Sequence, residues 1–117
     1  NGFFLMVEGA QIDWGGHDND TDYLITELLD FDKTIGVALD FAAKNTETLV
    51  IVTADHETGG FTLATDDGDY NKIKPTFSTG GHSATMVPIF AKGPGEENFG
   101  GIYKNTALFQ KMMDIFK

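Results

Sequence analysis

The stretch Thr48-Leu49-Val50-Ile51-Val52-Thr53-Ala54 limits the fold most. It is β-branched and apolar on both faces, so as a strand it needs cover on both sides. Helices give such cover, and a helical pattern precedes it. Leu24, Leu28, Phe31, Ile35, Leu39 and Ala42 recur at helical spacing. That spacing predicts an amphipathic helix from about Thr21 to Lys44, with N-cap candidates in Asp18 to Thr21 and a weakening Gly36. Upstream, the short apolar run Phe3 to Val7 stops at Glu8-Gly9 and reads as a second buried strand. Strand, long helix, strand is the βαβ order of a parallel sheet, which sets the expected class as α/β.

The rest of the chain fits one such domain. Phe61 to Thr65 and Ile73 to Ser78 flank the turn-rich Asp66-Asp67-Gly68-Asp69 and predict a hairpin, with Pro75 at an edge. Val87 to Ala91 predicts a further strand, stopped by Gly93-Pro94-Gly95. Leu108, Phe109, Met112, Met113 and Phe116 predict a closing helix capped by Asn105 or Thr106. With 117 residues the chain is long enough for one core. A net charge of -10 argues against nucleic acid or an anionic membrane surface as partner. Cysteine is absent, so a disulfide framework and a thiolate zinc site are both excluded. No apolar run approaches the roughly 20 residues that span a bilayer. The opening Asn1-Gly2 leads straight into a strand pattern without a signal peptide, and this reads as a piece of a longer protein.

Metal-ligand residue types gather where the chain turns. Val7 to Asp20 reads VEGAQIDWGGHDND, placing Glu8, Asp13 and His17 just after the first apolar run. Asp13 and His17 are four apart, which on a helix is one face, but Gly15-Gly16 between them argues for a loop. Asp55-His56 comes directly after the best strand, at the carboxyl edge where open α/β sheets build their sites. His82 is preceded by Gly80-Gly81, where backbone can come close to whatever the imidazole touches. Imidazole with carboxylate suits zinc. Taken singly, each of these also reads as solvated loop, helix cap or hydrogen-bonded histidine, and spacing leaves both readings open. Asp18, Asp20 and Asp22 begin like a calcium loop, but Tyr23 and Leu29 stand where glycine and glutamate are needed. Thr58-Gly59-Gly60 lacks the lysine of a phosphate-cradling loop.

Three ordered segments carry a resemblance. VEGAQIDWGGHDND, LVIVTADHETGGF and STGGHSATMVPIFAKGPG closely resemble the C-terminal part of alkaline phosphatases, and NTALFQKMMDIF is similar to that family's last helix. The resemblance spans essentially the whole chain. It implies part of a three-layer α/β sandwich with a mostly parallel sheet, residues 1–117 being the C-terminal fragment of a single domain. It also implies hydrolysis of phosphate monoesters with two zinc ions and one magnesium. Residue by residue, it makes Asp13, His17 and His82 ligands of the first zinc, Asp55 and His56 ligands of the second, and Glu8 a ligand of the magnesium.

Bound cations would invert the field that these carboxylates present to a phosphate dianion. The family's serine nucleophile, phosphate-holding arginine and remaining ligands lie upstream of what this chain contains. Ser78 and Ser83 fall in the wrong segment and read as structural. The resemblance therefore implies an inactive isolated chain, whose partners are a phosphate ester, the missing N-terminal part of the enzyme and, in a homodimer, a second copy. A periplasmic or extracellular location is implied too. Trp14 and Ala84 depart from the family's usual residues, Trp14 beside the third metal site. A related binuclear-metal phosphodiesterase or sulfatase, and a non-catalytic zinc-binding module, are the competing readings.

Overall fold

A computed structural model of the chain describes residues 2–116. It divides into two compact units, residues 1–32 with 56–85 and residues 33–55 with 86–117. Its β-pairing consists of three two-stranded antiparallel sheets among the described residues.

Unit one begins with Phe3 to Val7, which is exposed and belongs to none of the three sheets. The strand expected there is absent, because an apolar run becomes a strand only when a neighbour supplies a hydrogen-bonding ladder. Next along the chain is helix α1, Ala10–His17. This corrects the loop expected from Gly15-Gly16. A Cβ on Gly15 would lie 2.8 Å from the Leu24 backbone, and one on Gly16 would lie 3.0 Å from the Thr58 carbonyl oxygen. The two glycines let α1 approach its neighbours, and both are buried. Helix α2 spans Thr21–Lys44, as its periodicity predicts. The Asp20 carboxylate caps it by accepting from the Tyr23 N–H at 3.0 Å.

Two short strands come after α2. β1 is Val50–Thr53, the core of the predicted central strand, and lies in unit two. β2 is Glu57–Thr58, in unit one. β3 (Thr62–Asp66) and β4 (Asp69–Thr76) form the expected hairpin, with positive φ at Asp67 and Gly68 turning the chain. Pro75 pairs with Leu63 in this two-stranded ribbon, where each strand has an open edge, as expected for it. β5 is His82–Ser83 and pairs with β2, setting Thr58 opposite His82 and Glu57 opposite Ser83.

Unit two pairs β1 with β6 (Ile89–Lys92) from Val50↔Lys92 to Thr53↔Ile89. The pairing is antiparallel, so β1 has no parallel neighbour among the described residues, although its composition predicts one. A 3-10 turn, Glu96–Phe99, buries Phe99. Helix α3, Ala107–Ile115, closes the chain. Thr106 occupies its N-cap position, but the hydroxyl makes no capping hydrogen bond. Lys111 ties the two together, donating to the Asn98 carbonyl at 2.6 Å and lying 4.3 Å from the Tyr103 ring centroid. No helix among the described residues is long and apolar enough to cross a membrane.

Candidate metal centre

Because Asp13 and His17 stand four apart on α1, they share a face, and Asp13 Oδ2 lies 3.4 Å from His17 Nε2. β5 brings His82 to the same point. Its Nε2 lies 3.1 Å from His17 Nε2 and 3.5 Å from Asp13 Oδ1. A tetrahedral zinc with bonds of about 2.05 Å has ligand-to-ligand edges of about 3.3 Å. The three separations lie near that edge, the two imidazoles facing different oxygens of the Asp13 carboxylate, so the three side chains are close enough to converge on one ion.

The histidine tautomer is set by the backbone. His17 Nδ1 lies 2.8 Å from the Gly80 carbonyl oxygen, which can only accept. Nδ1 therefore carries the proton, and Nε2 keeps its lone pair for a cation. Asp13 and His82 also converge with half-buried His56, their donor atoms all within 4.8 Å of one another. His56 stacks on His82 with ring centroids 3.6 Å apart and planes 19° apart. Ring nitrogens donate in the ring plane, so a single ion cannot be in plane with two stacked imidazoles. The stacking thus sets His56 and His82 in orientations that do not suit in-plane donation to one shared ion, although their donor atoms lie close together.

One residue of the cluster carries no mark in the sequence. The Thr58 hydroxyl donates to Asp13 Oδ1 at 2.5 Å and lies 3.2 Å from His56 Nδ1. No sequence signal singles it out, since His56 lies outside β2 and a threonine two residues on has no distinctive spacing. Beside them, Glu57 accepts from the Ser83 hydroxyl and from the Phe61 N–H at 3.0 Å. The Ser83 hydrogen bond, chief among these, holds the Glu57 carboxyl below the usual carboxylate range although partial burial works the other way. Ser83 is thereby engaged in holding the β2–β5 pair, in keeping with its structural reading.

Two other expected ligands are in no cluster of candidate ligands found among the described residues. Glu8 is exposed on the segment before α1 and joins no cluster of candidate ligands among the described residues. Asp55 is exposed in the other compact unit, directly before His56 in the chain. Trp14, next to Asp13 on α1, exposes more than half of its surface.

Convergent imidazole and carboxylate donors in an α/β chain form a candidate site for a divalent cation. Comparison with known proteins narrows that reading. The alkaline phosphatase family model matches residues 1–77. Alkaline phosphatase 3 of Bacillus subtilis is 55% identical over 100% of this chain and 40% of its own length. Alkaline phosphatase 4 of the same organism is 57% identical over 99% of this chain and 40% of its own length. The solved alkaline phosphatase of the Antarctic bacterium TAB5 is 59% identical, with a TM-score of 0.94 over 97% of this chain and 35% of that one. A His 135 Asp mutant of the TAB5 enzyme, solved with magnesium in its M3 site, superposes with a TM-score of 0.93. The chain belongs to the alkaline phosphatase family and has its α/β fold. It spans about 40% of the length of these curated relatives.

Proposed function

We propose that this chain is the metal-holding C-terminal part of an alkaline phosphatase, a hydrolase of phosphate monoesters. The observation that carries the proposal is the set of 3.1, 3.4 and 3.5 Å separations among Asp13, His17 and His82 in a chain of this family. In this reading these three hold the first zinc, Asp55 and His56 contribute to the second, and Glu8 contributes to the magnesium. The stacking of His56 on His82 supports giving His56 to a different ion. The short span relative to the curated relatives supports a single domain completed by a preceding part, which supplies the nucleophile.

The chain's own residues have defined tasks in this scheme. Glu8, Asp13 and Asp55 would repel a phosphate dianion if left bare, and they instead anchor the charge that attracts it. His17 presents Nε2 because Gly80 holds its Nδ1 proton. None of the three histidines is left to act as a general base. When bound, the cations would supply Lewis acidity and lower the pKa of an oxygen nucleophile that the preceding part provides.

The test is hydrolysis of p-nitrophenyl phosphate by the complete polypeptide that contains this chain, before and after chelation. The expected result is turnover that chelation abolishes and zinc with magnesium restores. The 117-residue chain alone should give none, because residues of such a unit act together. A complete polypeptide inactive with both metals present, or turnover indifferent to chelation, contradicts the proposal.

A further inference from the structure

We propose that the Thr58 hydroxyl is a positioning group that sets Asp13 and His56 as metal ligands; the inference rests on the metal-centre reading proposed for this chain. A threonine hydroxyl has one proton to give and lone pairs to accept with. The proton goes to Asp13 Oδ1 at 2.5 Å, a short charge-assisted bond. The 3.2 Å contact to His56 Nδ1 is then one in which the imidazole must donate. His56 is thereby held as the Nδ1–H tautomer with Nε2 open to an ion. Asp13 in turn has one oxygen tied, which restrains rotation of its carboxylate. One hydroxyl thus orients a ligand of each proposed zinc.

The surroundings make Thr58 a rigid point. Its β-branched side chain has few rotamers. β-pairing opposite His82 fixes its backbone. Helix α1 lies against it, since a Cβ on Gly16 would lie 3.0 Å from both the Thr58 carbonyl oxygen and Cγ2. The next residue, Gly59, with φ +89, would put a Cβ 2.8 Å from the Gly16 carbonyl oxygen. Close approach at Gly16 and Gly59 is therefore what lets the hydroxyl reach a carboxylate one helical turn earlier in α1.

The experiment is calorimetric titration of Zn2+, with Co2+ absorption as a second readout, on the full chain and on Thr58→Val and Thr58→Ser. Far-UV circular dichroism checks that each variant keeps the wild-type fold. Thr58→Val keeps the shape and loses the hydroxyl, and it should weaken the tight zinc event by about 10- to 100-fold, the usual effect of losing an outer-sphere partner. It should also change the Co2+ visible spectrum. Thr58→Ser restores the hydroxyl and should restore both. Equal affinity and spectrum in Thr58→Val overturn the inference, as does a Thr58→Ser variant as weak as Thr58→Val. If Thr58→Val alters the fold, Thr58→Ala is judged by the same criteria, and a Thr58→Ser variant unlike wild type is then decisive against the hydroxyl. A wild-type chain that binds no zinc overturns the metal-centre reading itself, and this inference with it.

Discussion

Gly15 and Gly16 sit inside a helix, where alanine would ordinarily be better by about 1 kcal/mol. Packing reverses that preference. A Cβ at Gly15 meets the backbone N and Cα of Leu24 at 2.8 Å, and backbone cannot swing aside as a side chain can. Overpacking of this kind costs about 1–3 kcal/mol, more than the gain in propensity. Gly36 is the control, because a Cβ there meets nothing within 4 Å. In urea titrations, Gly15→Ala should lower the midpoint, while Gly36→Ala should raise stability by about 0.5–1 kcal/mol. A Gly15→Ala variant as stable as Gly36→Ala would show that α1 is not packed this closely.

At the scale of elements, composition and periodicity carry most of the legible information. α2, the β3–β4 hairpin and α3 are readable, because the pattern of apolar residues or the turn chemistry lies within each element. α1 is not, since glycine inside a helix looks like loop until its tertiary neighbours are known. Phe3 to Val7 and the pairing of β1 differ from expectation for a related reason. Strand formation depends on a partner, and apolar composition does not name one. The convergence of Asp13, His17, His56 and His82 is legible as residue types at turns, and resemblance sorts them. Thr58 is not legible, because a hydroxyl carries no distinctive spacing. The turn after β6 gives a pH prediction. Glu96 accepts from the Gly93 N–H at 2.7 Å and faces Lys92 at 3.5 Å. The backbone hydrogen bond first, and Lys92 second, hold its carboxyl below the usual range. A depressed folded-state value stabilises above the ordinary carboxylate value of 4.5, and that stability is lost as pH falls through the folded-state value. Glu96→Gln should therefore be less stable than wild type at about pH 6, with the difference closing toward about pH 3. A difference that persists unchanged in acid would remove the ionised carboxylate from the explanation.

For the molecule as a whole, what is short is core. Leu24 and Phe99 are the buried hydrophobic residues among those described, whereas Phe3, Phe4, Leu5, Met6 and Val7 are each 54% to 80% exposed. A contiguous apolar run of that exposure is unusual for a chain that works alone. The 117-residue chain should therefore self-associate or unfold with weak cooperativity. Sedimentation analysis with a denaturant titration checks this, and a compact monomer with a sharp transition would count against a missing part. On the proposed reading, this chain holds a zinc through Asp13, His17 and His82. Calorimetric titration of zinc into the wild type and into His17→Ala, His82→Ala and His56→Ala tests it most directly. One binding event should be much tighter than any other, abolished by His17→Ala and by His82→Ala and largely kept by His56→Ala. Loss of the tight event in His56→Ala, with its survival in His17→Ala, would contradict it.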